Sequence, residues 1–231
     1  FMSPDGGVMV PLSVTSSQLV VQGETGPITL NGGDGVNAVI GYYNDTTPPT
    51  ISVNITNLTV QTDPQFGTVN VLAGSNGGVA VIGTLVKPGG MNVSESNIQI
   101  TTGNLNVLGP NGANNGLALV TNNQLGVSTI GPATYDVTLN LYNGTVLGGV
   151  GGAMGFAEIY SSRLLNLNYQ NSFNINFNPA NPAQLQTKNG VVTAASDIRM
   201  NRLGSQGNFT VLGGANPAVI SQMNSAQDRK S

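Results

Sequence analysis

Apolar and polar residues alternate with a period of two along much of this chain. Val137, Leu139 and Leu141 fall on one side, with Thr138 and Asn140 on the other. Leu165, Leu167 and Tyr169 alternate with Asn166 and Asn168, and Phe173, Ile175 and Phe177 with Asn174 and Asn176. Such segments predict half-buried β-strands with an amide-rich outer face. In the stretch from Ile51 to Val60 the apolar parity flips between Ile55 and Leu58, which predicts a β-bulge there. Helical periodicity is nearly absent; residues 157–165 fit a short helix or a strand about equally well.

Turn chemistry separates these segments. Asn-Gly occurs at Asn31, Asn76, Asn111, Asn115, Asn143 and Asn189, and this pair favours the type I′ turns of β-hairpins. Asn143-Gly144 therefore predicts a hairpin in which Thr145-Val146-Leu147 returns beside Val137–Leu141. A short echo recurs at Val69-Asn70-Val71-Leu72, Leu105-Asn106-Val107-Leu108 and Phe209-Thr210-Val211-Leu212. Its spacing is irregular, which reads as recurrent hairpins rather than a solenoid. The predicted fold is all-β, an immunoglobulin-like or pilin-like β-sandwich over residues 18–231, in one body or two packed lobes.

Residues 1–17 form the N-terminal extension of this scheme. Val8, Val10, Leu12 and Val14 share one face of a strand after a loop-like start. Two readings follow: an ordinary first strand, or a donor strand that completes a neighbouring subunit's sheet. Burying four aliphatic side chains at about 1.5–3 kcal/mol each would supply roughly 6–12 kcal/mol before ordering costs. Pro11, with no N–H to donate, opposes a fully paired central strand.

Composition narrows the function. Of 231 residues 39% are apolar, enough to bury a core, and only 7% are charged, against about 25% in ordinary soluble domains. A net charge of −3 gives no electrostatic reason to bind nucleic acid, and five of the seven basic residues lie scattered from Lys188 onward. Cys, His and Trp are absent, which removes disulfides, thiolate and imidazole catalysis and soft metal ligation. With no cofactor expected, what remains is a two-carboxylate pair such as Asp136 and Glu158, a loose Ca²⁺ site at Asp34 and Asp45 that is more simply a pair of turns, or an isopeptide at Lys87 or Lys188. None stands out, and the chain reads as a non-enzyme. Few carboxylates also predict weak pH dependence. No apolar run is long enough for a transmembrane helix, and the expected location is extracellular, after removal of a signal peptide.

Six Asn-x-Ser/Thr sequons occur, at Asn44, Asn54, Asn57, Asn92, Asn143 and Asn208; chance alone in so Asn-rich a chain yields about five. Asn54 and Asn208 have outward parity and Asn143 sits at the predicted turn, so N-linked glycans are expected on some of them. Glycans would also keep so uncharged a surface soluble.

An uncharged, Cys-free, sequon-bearing β chain with an alternating strand from Val8 to Val14 resembles the subunits of archaeal threads, glycosylated surface filaments of Sulfolobales. The resemblance implies pilin-like subunits joined head to tail into a homopolymer, with Val8, Val10, Leu12 and Val14 entering the neighbour's groove, and roles in adhesion or biofilm. The alternatives are a virion fibre or capsid domain and a monomeric carbohydrate-binding adhesin.

Overall fold

A computed structural model of the chain describes residues 13–23, 26–44, 52–86, 96–112, 114–122, 135–150, 155–177, 190–205, 207–212 and 222–225. The strands form two sheets, and every ladder between them is parallel. This overturns the antiparallel sandwich with its hairpins. The described residues hold no helix, and within them the chain passes from face to face through strands and turns, where parallel pairing more often uses a crossover helix. The result is a stack of coils, a parallel β-solenoid.

The first coil comprises β1 (Ser13–Gln22), β2 (Ile28–Asn31) and β3 (Ala38–Asn44), and the second β4 (Ser52–Gln61), β5 (Thr68–Leu72) and β6 (Val79–Val86). The third holds β7 (Asn97–Leu108) and β8 (Leu117–Thr121), the fourth β9 (Val137–Leu147) and β10 (Ala157–Ser161), and the fifth β11 (Leu164–Ile175) and β12 (Gly190–Ala194). The sixth holds β13 (Asp197–Arg202), β14 (Asn208–Val211) and β15 (Gln222–Ser225). The long strands β7, β9 and β11 each cover two faces. Their first halves continue the row of β1 and β4, and their second halves the row of β2 and β5. The third face is the six-stranded sheet β15-β12-β10-β8-β6-β3.

Alternation sets which side chains point inward, and parallel stacking aligns them into columns. Leu19, Leu58, Ile98, Val137, Leu165 and Ile198 succeed one another on the first face. Leu30, Val71, Val107, Val146, Ile175 and Val211 do so on the second. Apart from Val211, which is exposed, these columns form one continuous core with Ala80, Ile82, Ala118, Val120, Ala157 and Ile159 of the third face. The echo noted in the sequence is this repeat itself, since Val69 and Leu105 are direct partners, as are Val71 and Val107. It escaped notice because the step between coils is not constant. Stacked side chains lie 36 to 41 residues apart in the early coils (Asn70 and Asn106, Thr29 and Asn70), then 28 (Asn140 and Asn168) and 33 (Asn168 and Asn201).

The Asn-Gly pairs mostly mark corners. Asn76 and Gly77 both take positive φ, 46° and 82°, and the Gly78 amide donates to the Ser75 carbonyl at 2.8 Å. The I′-type geometry is there, but it turns the chain from the second face to the third. Asn143-Gly144 is no hairpin turn, because β9 continues through it from the first face to the second. Residues 157–165 are strand β10, a tight bend, and the start of β11. The parity flip is present, with both Ile55 and Leu58 buried. The pairing of β1 with β4 keeps one register across this point, however, with Ser16 opposite Ile55 and Gln18 opposite Asn57, so no bulge lies between them.

The third sheet is covered on both sides. Its outward residues Val79, Val81 and Leu119 are buried in a second cluster with Val39, Leu117 and Phe156. The outer side of the first two faces carries amides and hydroxyls instead.

Candidate functional site

The outer surface of the first two faces carries ladders of side-chain amides. Asn201 donates through Nδ2 to Asn168 Oδ1 at 2.9 Å, Asn168 to Asn140 Oδ1 at 2.9 Å, and Asn140 to the Thr101 hydroxyl at 3.4 Å. A second ladder runs from Asn171 to Asn143 at 2.8 Å and from Asn143 to Asn104 at 2.9 Å. A third runs from Asn106 to Asn70 at 2.9 Å and on to Thr29 at 3.2 Å. In each, the later coil donates to the earlier one. Parallel in-register stacking places like residues one strand spacing apart, about 4.8 Å, which suits an amide chain of this kind. The surface is therefore a regular, neutral array with a uniform direction.

Beside the ladders lies a shallow groove of about 350 Å³ lined by Asn57, Thr59, Asn97, Gln99 and Thr138. Its rim holds the ion pair of Arg163 and Asp136, in which Nε donates to Oδ1 at 2.6 Å and a terminal nitrogen to Oδ2 at 2.5 Å. Asp136 also accepts from the Leu164 amide at 3.2 Å, which fixes the bend into β11. The groove's lining contains no aromatic ring.

Asp136 and Glu158, the carboxylates considered for glycoside chemistry, are not brought together. Asp136 leads into β9 on the first face, whereas Glu158 lies on β10 in the other sheet. Glu158 sits in the outward column between Leu119 and Val191. Burial there pushes its carboxyl above the ordinary glutamate range, partly offset by the Thr193 hydroxyl, which donates at 3.3 Å. Asp63 moves the other way: the Phe66 amide, then the Gln65 amide, hold its carboxyl below the ordinary range.

The signs of these shifts give a prediction. A carboxyl with a raised folded value adds stability below its unfolded value, lost as pH rises through the folded one; a lowered value acts in reverse. Glu158→Gln keeps an acceptor for Thr193 and removes the buried charge. The variant should match the parent near pH 4 and exceed it in thermal midpoint near pH 7, and equal midpoints at both pH values would rule this out.

Among the described residues no cluster of three or more acidic side chains gathers to hold a metal. Asp34 accepts from the Ser75 hydroxyl at 3.1 Å and from the Asn76 amide, which ties the β2–β3 loop to the corresponding loop of the next coil. Asp45, Lys87 and Lys188 lie outside the described residues, as do Val8, Val10, Leu12 and Asn92. Val14 falls in β1, which crosses the boundary at residue 17 and pairs in parallel with β4 of the same chain, Val14 opposite Val53. Asn44 ends β3, and Asn54 lies within β4 opposite Thr15. Asn57 is exposed and accepts from Asn97 Nδ2 at 3.1 Å. Asn208 is exposed at the start of β14, while Asn143 stands mid-strand with its amide engaged on both sides. The ladders themselves were not anticipated, although the recurrent apolar-Asn-apolar triplets were their signal. The chain matches no protein-family model, no curated protein and no solved structure.

Proposed function

We propose that the chain is a structural subunit of an extracellular surface filament, a rigid segment of solenoid that presents a neutral amide surface. The observation that carries this reading is the in-register stack of six coils with ladders of like side chains along its outside. Backbone hydrogen bonds run along the stack axis, the direction in which a filament bears load. Rods of this kind need neither a disulfide nor a charged surface for cohesion. Of the three sequons with described side chains, Asn57 and Asn208 are exposed and are the better placed for glycans. The polymer would form without the sandwich groove that strand donation requires.

Electron microscopy and fibre diffraction of the concentrated protein test the proposal. The expected result is unbranched rods with a meridional repeat of about 4.7–4.9 Å. A chain that stays a monodisperse particle at every concentration would sink the reading. The polar groove beside Asp136 favours a second one, a carbohydrate-binding adhesin. It ranks below the first because no ring is present to stack on a sugar face.

A further inference from the structure

A solenoid has two ends, and in this chain they differ. In the last coil Ile198 and Phe209 are half-buried against the core, but two other inward-pointing residues are exposed. Met200 continues the column of fully buried Leu167 yet is 39% exposed, and Val211 continues that of fully buried Ile175 yet is 38% exposed. Leu203 and Leu212 are exposed beside them. Four of the seven large apolar residues exposed among the described residues thus belong to one end. Among the described residues the strands there, β13, β14 and β15, have strand neighbours on one side only, which leaves the other edge open to a further strand. The first coil is the mirror case. Among the described residues β1, β2 and β3 likewise have strand neighbours on one side only, and Leu19, Val21 and Leu30 head the same columns that Ile198, Met200 and Val211 finish.

Charge distinguishes the ends further. No Lys or Arg occurs before Lys87, while that stretch holds Asp5, Glu24, Asp34, Asp45 and Asp63. From Lys188 onward there are five cations against Asp197 and Asp228. Arg199 and Arg202, on β13, are exposed at the uncovered end. Among the described residues, Asp34 lies in the first coil, and Arg199 and Arg202 outnumber Asp197 in the last, so unlike charge marks the two ends.

From these facts we infer that the tail coil of one copy receives the head coil of a second copy, β1, β2 and β3 adding in parallel to β13, β14 and β15. The occupant is a second copy because it alone supplies the matching columns, the complementary charge and the next amide. Gln22 heads the column that passes through Thr101, Asn140 and Asn168 to Asn201, so its amide would extend that ladder across the junction. The inference rests on the filament reading and names its joint. Continuous stacking of six coils predicts an axial rise of about 28–29 Å per subunit.

The test uses Arg199→Glu/Arg202→Glu. This variant keeps a normal head but repels the next head, so it should add to a growing tail and block further growth. Mixed at a few per cent with the parent chain, it should shorten rods at least severalfold, and alone it should not polymerise. The neutral variant Arg199→Gln/Arg202→Gln, which spares the fold any new repulsion, should weaken association at least tenfold and in a salt-insensitive way. Circular dichroism confirms that each variant is folded; should the charge reversal fail to fold, the neutral pair decides alone. Rods of parental length and rise with folded variants would overturn this joint and leave the filament standing. A parent chain that forms no rods would remove both.

Discussion

Asn176→Leu should abolish most of the chain's stability. Asn176 sits at the corner where the fifth coil leaves the second face, in the left-handed region with φ 56°. It is 1% exposed. Its side-chain oxygen accepts two backbone amides from different coils, Gly148 at 3.0 Å and Gly190 at 2.7 Å, and its own amide donates to the Val146 carbonyl at 2.8 Å. Leucine offers no acceptor, so both buried amides would be orphaned at about 1–3 kcal/mol each. A non-glycine residue in this region without local side-chain bonding costs about 1–2 kcal/mol more. The sum, roughly 3–8 kcal/mol, is comparable with the whole stability of a typical domain, about 5–15 kcal/mol. Asn176→Gly isolates the two terms, since it relieves the backbone and still loses the bonds; it should fall between parent and Leu. Urea unfolding followed by circular dichroism gives the ranking, and a Leu variant within 1 kcal/mol of the parent would show that the corner is not held this way.

This residue also shows what the sequence could convey. Asn174 and Asn176 read as outward-facing members of a strand that runs on to Phe177, and for Asn174 the parity is right, since it pairs with Thr145 and Thr210 in the outward row. Asn176 lies one residue past β11, where the backbone turns inward. Alternation cannot report such a turn because it records only which residues share a side. The same limit explains the fold. Val137, Leu139 and Leu141 alternate identically whether their partner is antiparallel and six residues away or parallel and a coil away. Asn-Gly at Asn76 takes the predicted geometry but serves a corner, and Asn143-Gly144 makes no hairpin turn. Strand positions were therefore legible from local chemistry. Strand direction was not, because it depends on a repeat whose length drifts from 36–41 to 28 and 33 residues.

The outer surface was legible in kind but not in arrangement. Asn140, Asn166 and Asn168 were read as solvent-facing amides, and so they are. What no single strand reveals is that Asn140 stands beside Asn168 and Asn168 beside Asn201, which turns scattered amides into a ladder. Sequons suffer the reverse problem. Asn143 qualifies by motif, yet its amide already donates to Asn104 and accepts from Asn171 and Ser172. The charge gradient, by contrast, lies in plain view in the sequence. It acquires meaning only once the order of residues along the chain becomes the order of coils along an axis.

Phe173→Ala should cost about 3–5 kcal/mol, and the reason it does so can be separated from simple loss of bulk. Phe173 is the largest fully buried side chain of the core. In its column the preceding coil contributes Gly144 and the following coil Phe209. The Phe209 ring lies parallel to it at 6.2 Å and the Tyr169 ring is tilted against it at 6.3 Å. The ring fits because Gly144 lacks a side chain: a Cβ there would stand 2.3 Å from Phe173 Cδ2. Gly144→Ala should therefore destabilise by about 1–3 kcal/mol through overpacking, although alanine suits a strand better than glycine elsewhere. In the double variant Gly144→Ala/Phe173→Ala the new methyl enters space the ring has left. The combined loss should then fall short of the sum of the single losses by at least about 1 kcal/mol. Urea titrations of the four proteins measure that coupling directly. Strict additivity would mean that residues 144 and 173 do not share one volume, and hence that the stacking of the fourth coil on the fifth has a different register.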